Sequence, residues 1–97
     1  MTLGSLACTA NEYFRNAAGT ALNSVMHWPF DTNEGGGVES LKTLRAMYEN
    51  SSSGVEKPAA FIVEVLQAEG GVNLASKAWL QELQQLARDI GALLIVD

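Results

Sequence analysis

Two uninterrupted apolar runs, AAFIV at 59–63 and ALLIV at 92–96, constrain the fold of this chain more than any other feature. Neither shows the polar alternation of a strand with one wet face. Continuous runs of this kind are what parallel strands covered on both faces look like. Between them, Trp79, Leu83, Leu86, Ala87 and Ile90 fall at i, i+4, i+7, i+8 and i+11, a helical stripe. Lys77, Gln81, Gln84, Gln85, Arg88 and Asp89 take the opposite side. Ser76 is placed to cap the start of that helix and Gly91 to end it. Strand, helix and strand of these lengths make a parallel pair joined by a crossover.

The remaining segments extend the pattern toward the N-terminus. Leu3, Leu6, Ala10, Tyr13 and Phe14 predict an opening helix over 3–14, and Asn16 to Asn23, with Gly19, a connector. NSVMHWPF at 23–30 reads as a strand stopped by Pro29, which cannot donate to a ladder. DTNEGGG at 31–37 is a loop. Val38, Leu41, Leu44 or Arg45, and Tyr48 then space a second helix, for which SSSG at 51–54 is the stop, with Gly54 available for a left-handed backbone. Pro58 introduces the strand AAFIVEV. The expectation is one α/β domain over residues 1–97, with a three-stranded, mainly parallel sheet and helical crossovers.

The chain has 97 residues, so this sheet stretches its resources. A domain of this size buries only roughly 60–65% of the surface its unfolded chain exposes. Crossovers of one hand between neighbouring strands put the helices on one face. The other face of 59–65 and 92–96 is left bare apart from what residues 3–14 can cover. Such a sheet belongs to a larger body or is covered by a partner chain. Eleven acids against six bases give a net charge of −5, which disfavours nucleic acid as a partner, since phosphate binding leans on clustered Lys and Arg. No basic amphipathic helix, signal peptide or membrane-length apolar run is found, so neither nucleic acid nor membrane is an expected partner. The single Cys8 rules out an internal disulfide and fits a reducing cytoplasm.

Polar chemistry in a parallel α/β sheet gathers outside the carboxyl ends of its strands. Glu64 closes one apolar run and Asp97 the other, so both are expected on one rim, with Glu69, Gly70 and Gly71 in the loop above. A solvated carboxylate, or one that caps the next helix, is the plainer reading of each acid. For the two glycines it is a turn.

At these residues the chain resembles a known family. IVEVLQAEGG, followed by a helix and LLIVD, is similar to the class III pyridoxal-phosphate aminotransferase segment V-E-x-x-Q-G-E-G-G, helix, L-L-I-x-D. Within the family the nearer likeness is to the diaminobutyrate–2-oxoglutarate aminotransferases, supported by MTLGSLACTANEYFR and SSGVEKPAAFIVE. The resemblance implies an internal fragment of the large domain of a fold-type I transferase, normally oligomeric. It would pass an amino group from L-2,4-diaminobutyrate, or a related omega-amino donor, to 2-oxoglutarate. Asp97 matches the aspartate that pairs with the cofactor's pyridinium nitrogen. Glu69 matches a glutamate that gates the substrate carboxylate, and Glu64 the other acid of the motif, in the hydrogen-bond network of the site. Ala68 departs from the usual glycine, and Val65 from the usual proline or threonine, without shifting the acids.

The family's Schiff-base lysine falls beyond residue 97, and its phosphate loop and ring-stacking aromatic fall before Met1. Lys42, Lys57 and Lys77 match none of them. The resemblance therefore implies no catalytic residue in the isolated chain, and little or no cofactor binding by it. A non-enzymatic, self-associating α/β module is the alternative. Elsewhere, His27 reads as a packed or partly exposed histidine rather than a metal ligand, and Cys8 as a buried thiol rather than a nucleophile. Gly35 to Gly37 read as a flexible loop rather than an anion site, and Trp28 and Trp79 as core. Ser24 and Ser40 have no triad partners.

Overall fold

The structure, a computed structural model, describes residues 2–31 and 36–97. Two short helices open it, α1 (Leu3–Cys8) and α2 (Glu12–Asn16). Helix α3 (Gly36–Glu49), strand β1 (Ala60–Val63), strands β2 (Leu66–Gln67) and β3 (Asn73–Leu74), helix α4 (Lys77–Ile90) and strand β4 (Leu93–Val96) follow. β1 and β4 pair in parallel, and β2 and β3 form a small antiparallel hairpin.

The capping signals of α4 act as its sequence predicts. The Ser76 hydroxyl accepts from Trp79 N at 3.2 Å, and Gly91 turns the chain at φ 76°. Its apolar stripe meets that of α3. Leu41, Leu44 and Tyr48 pack with Ala75, Trp79, Leu83 and Leu86 in one core, and Leu86 is wholly inaccessible. Burial pushes the Tyr48 phenol pKa up, so the group stays neutral inside the core. Phe61, Val63 and Leu94 of the parallel pair pack against the same cluster. On the other parity Ile62 is 53% exposed and Ile95 45%, so the sheet face away from the helices is bare, as expected.

Several expectations are corrected. The predicted helix 3–14 is broken in two because Thr9 is extended and Asn11 begins a new N-cap, its side chain accepting from Phe14 N. Arg15 then fastens the pieces together: its Nη1 donates to the carbonyls of Leu6, Ala7 and Thr9 at 2.9–3.3 Å. Residues 23–30 form no strand. Ser24 adopts φ 67°, Pro29 lacks a donor, and Trp28 and Phe30 are held by side-chain packing instead of a ladder. The sheet is consequently a parallel pair rather than three strands among the described residues. Of the predicted loop 31–37, residues 32–35 lie outside the described residues, while Gly36 and Gly37 are the first turn of α3. Gly54 does adopt a left-handed backbone, φ 75°, but as the last residue of the turn segment 51–54 and not directly at the end of α3.

Asp31 and Gly37 set how α3 meets α4. Asp31 Oδ2 accepts from Ser76 N at 2.8 Å, just ahead of α4. A Cβ on Gly37 would run into Asp31 Oδ1 and lie 2.7 Å from Trp79 Cδ1, so only glycine permits this approach.

Farther along the helices, Arg45 Nη1 reaches Asp89 Oδ2 at 2.7 Å, and Gln85 Nε2 donates to Asp89 Oδ1 at 2.8 Å. The bonds from Arg45 and Gln85 lower the Asp89 pKa. Because the folded value is depressed, the stabilising contribution is present above the unfolded value of about 4 and is lost as pH falls through the folded one. Both side chains are partly solvated, so the effect is small. Urea midpoints of wild type and Asp89→Asn should differ slightly near neutrality and converge in acid. A gap that widens on acidification would contradict this account.

Candidate functional site at the carboxyl ends of the parallel strands

The β1–β4 register runs from Ala60 opposite Leu93 to Val63 opposite Val96. The ladder continues one step further, since Asp97 N donates to Val63 O at 2.9 Å. Glu64 and Asp97 are therefore lateral neighbours on one rim, about one strand spacing of 4.8 Å apart along the backbone. Both are exposed. Continuing the pleat, positions 64 and 97 share the parity of Ile62 and Ile95, on the side of the sheet away from the helices.

Two like charges side by side across a parallel pair repel each other. Among the described residues no salt bridge relieves either one. The rim is a place of negative potential that favours a cationic group.

Glu69 lies on the same end of β1. It sits in the exposed tip, residues 68–72, of the β2–β3 hairpin, which leaves β1 after only Glu64 and Val65. No hydrogen bond joins Glu69 to Glu64 or Asp97. The structure thus brings together 64 and 97 and puts 69 on the same side, unlinked.

The other candidates sort differently. His27 Nε2 lies 3.0 Å from both Ala7 O and Arg15 Nη1, so the ring ties the 23–30 segment to α1 and α2. Cys8 is exposed, which corrects the expectation of a buried thiol: the residue of α1 that turns inward is Ala7. Lys42 pairs with Glu39 at 3.0 Å on the surface of α3, Lys57 is in the approach to β1, and Lys77 opens α4. A surface cavity of about 280 Å³, lined by Tyr48, Asn50, Ser51, Val55, Glu56 and Lys57, lies toward the amino end of β1, the end away from the acids. Arg15 and Asp31 were missed as organising residues, because their partners are backbone groups many positions away.

The fold is a parallel β–α–β unit of the α/β class, with two acids side by side at its carboxyl rim. The aminotransferase class-III family matches residues 1–97, and the chain belongs to that family. It is 48% identical over 94 residues to the diaminobutyrate–2-oxoglutarate transaminase of Bordetella parapertussis, covering 97% of this chain and 22% of that protein. The enzyme of the same name from Vibrio cholerae is 46% identical over 96 residues, 99% of this chain and 23% of that protein. That of Halalkalibacterium halodurans is 41% identical over 97 residues, 100% of this chain and 23% of that protein. The chain thus spans a little over a fifth of the length of these relatives.

Class III aminotransferases depend on pyridoxal 5′-phosphate. The rim fits one contact that this group needs, a carboxylate acceptor for a protonated ring nitrogen. Among the described residues no helix is long and apolar enough to cross a membrane.

Proposed function

We propose that this chain is a segment of a diaminobutyrate–2-oxoglutarate transaminase and that its acidic rim is the cofactor-facing edge of the sheet. The observation that supports this most directly is the register that makes Asp97 and Glu64 neighbours at the carboxyl ends of β1 and β4. Asp97 would hold the ring nitrogen. When bound, pyridoxal phosphate supplies an electron sink and a carrier for the amino group. The part of this chain's residues is to keep that sink charged and to orient what approaches it.

A carboxylate at 97 stabilises the proton on the ring nitrogen, and Glu64 beside it deepens the local negative potential. Glu69 meets an arginine that must otherwise bind the substrate carboxylate, and so admits one substrate form at a time. The donor is L-2,4-diaminobutyrate, through its terminal amine, and the acceptor is 2-oxoglutarate. The assembled enzyme is a homo-oligomer of the cytoplasm.

Glutamate formation by the transaminase polypeptide carrying this segment tests the substrate assignment. L-2,4-diaminobutyrate should outperform other omega-amino donors. Transfer from another such amine but not from diaminobutyrate would sink it.

A second reading is favoured by the bare face at Ile62 and Ile95: the 97 residues persist as a self-associating module without catalysis. Light scattering of the chain should then show oligomers, and a monomer at high concentration would end that reading.

A further inference from the structure

Val72 has φ 55°, a left-handed backbone at a β-branched residue. In that region Cβ crowds the backbone carbonyl, and valine is among the residues least suited to it. Strain of this kind persists where surrounding packing enforces it, yet Val72 is 72% exposed. The neighbours hold it only locally. Val72 N and Gly71 N donate to Ala68 O at 3.3 and 3.4 Å, and Asn73 Nδ2 donates to Gly70 O at 3.0 Å and to Gln67 Oε1 at 3.4 Å.

Beneath the tip stand two ladder pairs, Leu66 with Leu74 and Gln67 with Asn73, and the base bond from Ala75 N to Val65 O. Among the described residues no hydrogen bond or salt bridge reaches from 66–74 to any other part of the chain. Leu66 and Leu74 are exposed too, at 48% and 67%.

We propose that residues 66–74 form a sprung strap: the hairpin interchanges between the closed tip described above and a relaxed state in which Val72 returns to extended backbone. That rotation breaks the bonds to Ala68 O and the Asn73 side-chain contacts. It moves the middle of the tip, where Glu69 sits, relative to the rim that ends in Glu64 and Asp97. The strap stands on the backbone alone; its consequence for substrate admission rests on the part given to Glu69 above.

Relaxation-dispersion NMR on the chain tests it, since exchange between such states falls in the microsecond-to-millisecond range. Wild type should show exchange confined to residues 66–74. Val72→Gly takes a positive φ freely, and should cut the relaxed population about tenfold and flatten the profiles. Val72→Ile keeps the strain and should keep the exchange. Flat profiles in wild type, or undiminished exchange in Val72→Gly, would overturn the strap. Glu69→Gln should leave the exchange in place. If that variant also leaves transamination untouched, the gating part given to Glu69 fails while the strap stands.

Discussion

Replacing Trp79 by alanine is expected to lower the stability of the domain by about 3–5 kcal/mol, whereas Trp79→Phe should lower it by less than about 1.5 kcal/mol. The indole is 4% exposed and belongs to the core cluster that joins α3, α4 and the sheet. It meets the Phe30 ring at a centroid distance of 5.2 Å and lies against Gly37. Truncation at this point removes contacts to three segments at once and leaves a cavity that glycine on one side cannot collapse into.

Phenylalanine keeps most of those contacts. It also removes a buried donor, since Trp79 Nε1 has no hydrogen-bond partner among the described residues. An unpaired buried donor costs about 1–3 kcal/mol, so its loss offsets much of the smaller ring. Urea denaturation of the three proteins separates these contributions. A Trp79→Phe variant as unstable as Trp79→Ala would mean that the second ring, and not the overall aromatic filling, holds the segments together. Small domains have only about 5–15 kcal/mol to lose, so the alanine variant is expected to give up a large share of its stability.

What the sequence shows of this architecture follows from how local each signal is. Helix α4 was legible from end to end because its cap at Ser76, its stripe from Trp79 to Ile90 and its stop at Gly91 all lie within sixteen positions. The parallel pairing was legible too, since AAFIV and ALLIV lack alternation and a helix separates them. The break between α1 and α2 was not. Leu3 to Phe14 keep helical spacing throughout, and only the Asn11 cap and three carbonyls gathered by Arg15 show why the helix stops.

Residues 23–30 misled for a related reason. Trp28 and Phe30 are apolar because they pack on the core, and apolarity alone does not supply a ladder partner. The site was half legible. The rim acids could be placed by the rule that strand ends face ligands, but the strain at Val72 is a backbone property that no residue pattern announces.

The rim makes the sharpest functional prediction. On the proposed function, Asp97→Asn in a transaminase polypeptide carrying this segment should reduce kcat about 10²–10³-fold, the magnitude of losing one preorganised electrostatic contact. Fold and substrate binding should be spared. The backbone at 97 is fixed by the bond from its N–H to Val63 O, which asparagine keeps, so the urea midpoint should hardly move. Substrate contacts made away from the ring nitrogen are unaffected, so KM should change little while kcat falls.

Asparagine has the same shape but cannot stabilise a proton on the ring nitrogen by charge, and the electron sink is weakened at that one atom. Glu64→Gln leaves the Asp97 charge in place and removes only its neighbour's contribution to the potential, so a smaller fall, about tenfold, is expected. The order of the two effects matters more than either size. If Glu64→Gln proved the more damaging, position 64 would be the nitrogen's partner and the register would need another reading. If Asp97→Asn kept its kcat, the rim would be a solvated end of two strands and nothing more.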